Sequence, residues 1–266
     1  MALILVPTPL GNLRDITLRA LDVLRACDAI VAEDTRVTLR LLRAHGIPPK
    51  ALRSYREQNA AEVTQSILDR ARDGTVALVC DAGMPGIADP GRELVAAARA
   101  AGVAVEVLPG PSAFVCAAVL SGFPLERFTF EGFLTRAQGE RERTLRAALL
   151  RGTTTVWYEA PHRILATLGA LAEVAANADV FVARELTKLH EQQLAGKPAE
   201  VAARIATPVR GEIVLVLGPS VSSAEGASGD EIEAAIDAAL AAGSAPAAIA
   251  KALSAGGAGA VTCAAA

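Results

Sequence analysis

Short apolar runs alternating with helically spaced segments constrain this chain more than any other feature. The runs are LILV at 3–6, DAIVAED at 28–34, TVALVC at 75–80, VAVEVL at 103–108, FTFEGFL at 128–134, TTTVWYE at 153–159, DVFVARE at 179–185 and EIVLVL at 212–217. Between them lie segments such as 15–26, where Ile16, Ala20, Val23, Leu24 and Cys27 follow the helical period, and 60–73, ended by Gly74. Strands that alternate with helices predict an α/β fold. Before about residue 110 the runs are brief and strongly apolar, as parallel strands covered on both faces must be. After the Gly122 region they lengthen and carry more polar residues, which predicts a second, mixed sheet with antiparallel pairing. The expected organisation is an N-terminal α/β domain over 1–121 and a second α/β domain over 122–218. Residues 219–266 then form a linker and an alanine-rich tail, partly helical or disordered.

Composition supports a buried aliphatic core. Hydrophobic residues make up 52% of the 266 positions but aromatic ones only 3%, so Ala, Val, Leu and Ile must fill the interior. A net charge of −3 is not that of a chain binding polyanions through its overall charge, so any nucleic-acid contact has to be a local patch. Cys27, Cys80, Cys116 and Cys263 show no CxxC or CxxH spacing, which suits a reduced cytosolic protein without zinc. The first apolar run stops at Pro7, too soon for a signal peptide or a membrane span, and the expectation is a cytoplasmic protein with no membrane partner.

Three loops that follow predicted strands share one chemistry: PTPLGN at 7–12, DAGMPGIADPG at 81–91 and PGPSA at 109–113. Glycine lets backbone approach a ligand, and proline fixes the loop beforehand. Neither GxxxxGK[ST] nor GxGxxG after the first strand is present, and none of these loops carries Lys or Arg. Asp81 and Asp89 would repel phosphate but accommodate a ligand with a cationic centre. S-adenosylmethionine, with its sulfonium and amino group, is such a ligand.

The segments VPTPLGNLRDITLRALDVLRACDAIVAEDTR at 6–36, DAGMPGIADPG at 81–91, PGPSA at 109–113, FEGFL at 130–134, YEAPHR at 158–163, ARELTKLHE at 183–191 and GEIVLVL at 211–217 closely resemble the bacterial 16S rRNA 2′-O-methyltransferases of the tetrapyrrole-methylase fold. The resemblance runs from about residue 3 to 217. It implies two α/β domains with S-adenosylmethionine in the cleft between them, a homodimer, and methylation of a cytidine ribose in the decoding region of 16S rRNA within the 30S subunit. Position by position it implies cofactor contacts from Pro9 and Gly11, from Asp81, Ala82, Gly83 and Pro85, and from Ser112 and Ala113, with Ala160, Leu186 and Glu212 closing from the second domain. The family loop commonly reads SDAGTPLISDPG; here Cys80, Met84 and Gly86 replace its Ser, Thr and Leu. Relatives tend to end in a small basic helical unit, whereas Lys251 is the sole basic residue after Arg210 here.

Methyl transfer to a hydroxyl needs alignment and a proton acceptor. Glu33 and Asp34, Glu159 and His162, and Lys188, His190 and Glu191 are the candidate groups. For RNA, Arg36, Arg40 and Arg43 fall on one face of a helix directly after AED, and Arg136, Arg141 and Arg143 belong to a second basic stretch. Tyr55, Trp157 and Tyr158 are the aromatics that could receive a splayed base. Two alternatives stay open: a small-molecule methylase of the same fold acting on a tetrapyrrole precursor, and a non-catalytic ribosome-binding relative.

Overall fold

β1 (Ala2–Leu5), β2 (Ala29–Ala32), β3 (Ala51–Ser54), β4 (Thr75–Val79) and β5 (Val105–Val107) form one parallel sheet in the computed structural model, in the order β3-β2-β4-β1-β5. The structure describes residues 1–219 and 229–241 and the positions 245, 246 and 249. Side-chain alternation divides the sheet between two cores. Leu3, Leu5, Val31, Val76 and Leu78 pack with Val63, Ile67 and Leu68 of α3 (Ala60–Asp73) and Leu94 and Ala98 of α4 (Arg92–Ala100). Ile4, Val6, Ile30, Ala32, Ala77 and Val79 turn the other way, onto Ala20 and Leu24 of α1 (Leu18–Ala26) and Leu42 of α2 (Thr35–Ala44). Because both faces are covered, these strands read as continuous apolar runs. β3 was not foreseen: its sequence is ALRS, Ala51 and Arg53 are exposed, and it lies at the sheet edge.

The second sheet contains β6 (Phe128–Phe133), β7 (Thr154–Glu159), β8 (Val180–Arg184), β9 (Gln192–Gly196) and β10 (Ile213–Leu217), in the order β6-β7-β10-β8-β9. It is mixed, as expected. β6 and β7 pair in parallel because α6 (Gln138–Arg151) carries the chain back between them, and the antiparallel ladders are β7 to β10, β10 to β8 and β8 to β9. β9 is an edge strand of sequence QQLAG with one buried side chain, Leu194, and its polarity hid it.

One face of this sheet is sealed by α6, α7 (Ile164–Val174) and α8 (Pro198–Arg204) around Trp157, Val182 and Leu215. The other receives α5 (Ala113–Ser121), whose Ala117 and Ala118 meet Val156, Phe181, Ala183, Val214 and Val216. α5 precedes the expected boundary at Gly122, yet it packs on the second sheet. Leu10, from the loop after β1, enters the same cluster. Residues 1–219 thus carry both sheets in one compact unit.

In the tail, α9 spans Gly229–Ala241, while 220–228 and the chain after 249 lie outside the described residues. Among the described residues no helix is long and apolar enough to cross a membrane. Leu168 of α7 is fully buried, whereas Leu165 is 36% exposed. Leu168→Ala is therefore expected to destabilise the fold by about 2–5 kcal/mol and Leu165→Ala by less than about 0.5 kcal/mol, as read from denaturant midpoints.

Candidate functional site

Because β4, β1 and β5 are adjacent, the three glycine- and proline-rich loops meet at the carboxyl edge of the first sheet, where open α/β sheets bind ligands. Thr8 and Gly83 each donate an N–H to the other's carbonyl at 2.9 Å, joining the first loop to the second. Gly83 has φ +81°, and an added Cβ would lie 3.3 Å from Leu10 Cδ2. A side chain there would be strained and crowded. Thr8 Oγ1 donates to the Cys80 carbonyl at 3.1 Å, and the Cys80 thiol donates to the carbonyls of Ala82 and Gly83 at 3.3 Å. The thiol thus supplies a donor where the resembling family commonly has serine. The third loop closes against the first at Gly110, where a Cβ would meet the Pro7 ring at 2.6 Å.

These loops enclose a cleft of about 420 Å³ with the strand ends of the second sheet. Of the expected cofactor residues, Asp81, Ala82, Gly83, Ser112, Ala113, Ala160 and Glu212 line it. Pro9 and Gly11 line an adjoining cavity of about 350 Å³ that shares Leu10 and Asp81 with the cleft. Pro85 and Leu186 are buried and line neither; Leu186 packs in the cluster that holds Leu10. Among the described residues the cleft wall contains no Lys or Arg, and it carries the carboxylates Glu33, Asp81, Asp89, Glu159 and Glu212. Ser112 Oγ is buried there without a partner among the described residues. A buried hydroxyl aimed at a largely apolar wall with carboxylates fits a cationic, nucleoside-containing ligand.

The proton-accepting candidates separate by their partners. Asp34 caps α2, accepting from the Arg36 N–H at 2.8 Å and from its guanidinium at 2.6 Å; those hydrogen bonds hold its pKa far below the usual carboxylate range. Glu159 is buried with both oxygens used, by Ala160 N–H at 2.8 Å and Thr167 Oγ1 at 2.7 Å, and is ion-paired with Arg163. It is thereby an anchor for the start of α7.

Lys188 Nζ sits 2.8 Å from Glu185 and 3.2 Å from Glu212. Burial would lower its pKa, but those two carboxylates outweigh burial and raise it, so the amine stays charged. Glu191 accepts from Thr187 N–H at 2.6 Å and from Gln193 at 2.6 Å. His162 and His190 are exposed and do not line the cleft. Glu33 does line it, with its pKa raised by burial and by the charge of Asp81.

Sequence reasoning passed over Asp89 as a proton acceptor. It lines the cleft, and burial, followed by the charge of Glu33, pushes its pKa up to about 7. The available signal was a second carboxylate in the 81–91 loop, which was weighed only for its effect on phosphate.

The segment 185–191 straps the first loop to the second sheet. Asn12 N–H donates to Thr187 Oγ1 at 3.0 Å, and a Cβ on Gly11 would strike Lys188 Cγ. Glu185 and Thr187 hold φ values of +53° and +64°. Such strain in non-glycine residues persists only where surrounding bonds enforce it.

Arg36, Arg40 and Arg43 are exposed on α2, and Arg40 also lines the smaller cavity. Arg136 and Arg143 are exposed as well. Arg141 departs from its expected place on an RNA-facing surface: it is 8% exposed, because α6 turns that position onto the sheet. Tyr55 and Trp157, expected as base-stacking groups, are buried in separate cores, and Trp157 Nε1 donates to Glu131 at 2.8 Å. Of the three aromatics, Tyr158 alone lines the cleft.

The profile of the tetrapyrrole (corrin/porphyrin) methylases matches residues 2–202. The ribosomal RNA small subunit methyltransferase I of Thermotoga maritima is 44% identical over 218 residues, covering 81% of this chain and 97% of that protein. The protein of the same name from Bacillus subtilis is 41% identical over 233 residues, covering 87% and 77%. The crystal structure of a diphthine synthase superposes with a TM-score of 0.65 at 16% identity, over 82% of this chain and 90% of that one, a likeness of fold alone. Loops, cleft and sequence agree, and the chain belongs to the tetrapyrrole methylase family.

Proposed function

We propose that this protein is an S-adenosylmethionine-dependent methyltransferase that modifies the 2′-oxygen of a cytidine ribose in the decoding region of small-subunit rRNA. The observation that carries the reading is the cation-free cleft with its unpartnered Ser112 hydroxyl beside an exposed arginine stripe on α2. The names of its relatives give the acceptor class. Bound in the cleft, S-adenosylmethionine supplies an electrophilic methyl group. Ser112 would offer it a hydrogen bond, the backbone of Ala82 and Gly83 would approach it closely, and Asp81 and Glu212 would stand near its positive charge.

The arginines lie outside the cleft, where they suit the phosphates of the acceptor strand. Arg36, Arg40 and Arg43 occupy one helix face that begins directly after β2, so RNA held there is brought to the carboxyl edge of the sheet. The two sheets would act as two domains closing on the cofactor, in a cytoplasmic protein acting on the 30S subunit. The alternative of a small-molecule methylase has no observation in its favour that the arginine stripe does not weaken.

A homodimer is part of the proposal, supported by α5. Its sequence AFVCAAVLS is apolar around nearly the whole circumference, and Val115, Val119 and Leu120 are 44%, 65% and 43% exposed. An all-apolar helix wants cover on every side. A second copy of this chain supplies it, and Val119→Asp is expected to convert the dimer to monomer in light scattering.

Transfer of labelled methyl to 30S subunits lacking ribose methylation should yield 2′-O-methylcytidine on nucleoside analysis, and no transfer would reject the reading. Ser112→Ala is expected to weaken S-adenosylmethionine binding about 3- to 10-fold by calorimetry, the worth of one hydrogen bond. Replacing Arg36, Arg40 and Arg43 together by Ala should weaken RNA binding and flatten its salt dependence while leaving cofactor affinity unchanged.

A further inference from the structure

A polar cavity of about 480 Å³ adjoins the cleft, and the two share the side chains of Glu33, Asp81 and Asp89. Asp34, Arg56, Glu57 and Gln58 are the other polar residues of its wall. The three shared carboxylates form a partition between a chamber suited to the methyl donor and a polar chamber with a guanidinium in its wall. A group that removes the acceptor proton has to stand in that partition, within reach of both reactants.

Within the partition, Asp81 Oδ1 is taken by the Asp34 N–H at 3.0 Å, and the Glu33 carboxylate lies beside the Asp81 backbone. Asp89 has the thiol of Cys80 beside its carboxylate, a weak donor that already serves the carbonyls of Ala82 and Gly83. Its backbone is constrained as well: Ala88 has φ +59° and Gly91 φ +144°, so the turn around Asp89 is kept in a conformation that most residues avoid. Strain of that kind is held where a side chain must be aimed.

We propose that Asp89 is the general base of the transferase, accepting the 2′-hydroxyl proton of a ribose that reaches it through the polar cavity. The proposal rests on the methyl-transfer reading above. The hydroxyl oxygen forms its new bond to the methyl carbon as the carbon–sulfur bond breaks, and that bond's electron pair stays on sulfur. The hydroxyl proton passes to the Asp89 carboxylate, which later returns it to solvent.

Glu33, Asp81 and Glu212 face Asp89 with negative charge; Cys80 and Tyr158 are its other titratable neighbours, and Arg56 stands across the cavity. With a pKa of about 7, set by burial and then by Glu33, Asp89 is partly ionised at neutral pH and matched to proton transfer. A base acts in its ionised form. The single-turnover rate should therefore rise with pH through about 7 and level off above it. Glu33→Gln removes a charge that raises the Asp89 pKa, so that rise should move to lower pH.

The test uses full-length protein and undermethylated 30S subunits. Asp89→Asn is expected to lower the single-turnover rate about 10²- to 10⁴-fold and abolish the rise with pH, while calorimetry finds S-adenosylmethionine affinity within about threefold of wild type. The base assignment is overturned if Asp89→Asn transfers methyl at a near wild-type rate, if it loses cofactor affinity in proportion to rate, or if Glu33→Gln leaves the pH profile in place. Wild-type protein that binds cofactor but methylates no rRNA would overturn the methyl-transfer reading itself, whereas an active wild type beside an equally active Asp89→Asn would overturn the base alone.

Discussion

The reciprocal pair of backbone hydrogen bonds between Thr8 and Gly83 is the constraint on which the site depends. β1 and β4 are neighbours in the first sheet, but their following loops leave that sheet, and without a tie each would be an independent flexible connection. The pair extends the sheet by one bridge past its edge. It also requires a positive φ at residue 83, which the glycine allows. Thr8 Oγ1 and the Cys80 thiol then use the nearby carbonyls, so the polar backbone of this turn is satisfied from within. A loop so held loses little freedom when a ligand arrives.

From that tie the two sheets become one machine. Leu10, two residues after Thr8, is buried in the cluster of the second sheet, and α5 starts from the third loop and lies on the same face. The strap at 185–191 returns the connection, with Thr187 accepting from the first loop and Lys188 bridging Glu185 and Glu212. The first sheet therefore presents the loops and the second provides the wall against which they are set. The anchoring of Glu159 to Thr167 and Arg163 serves that wall: its carboxylate is neutralised and hydrogen-bonded, and it fixes the turn that brings Ala160 to the cleft.

Much of this was legible in the sequence because it is written in local patterns. Apolar runs covered on both faces announced β1, β2 and β4, and the composition of the three loops announced a ligand carrying positive charge. What escaped were the properties that depend on pairing and neighbours. β3 and β9 are short edge strands whose half-exposed residues carry no strong period, and the parallel pairing of β6 with β7 follows from a crossover rather than from either strand. Arg141, Tyr55 and Trp157 look like surface chemistry in a list of residues, but each falls on the inward side of its element. Asp89 was hidden for the opposite reason: a carboxylate acquires a raised pKa through burial and nearby charges, and Glu33 is 56 residues away in sequence.

The distribution of charge resolves how a chain of net charge −3 can serve an RNA substrate. Carboxylates are gathered in the cleft proposed for the cationic donor, and the exposed arginines of α2 are placed beyond them. Arg36 and Asp34 mark the change from one region to the other, an ion pair at the first turn of α2. The two ligands differ in sign, and a site that joins them must keep each from the other's binding surface while letting one methyl group cross. Buried carboxylates raise one another's pKa, so the same partition that repels phosphate also creates a group able to take a proton near neutral pH. In the proposed mechanism, selectivity and proton transfer arise from a single arrangement of charges.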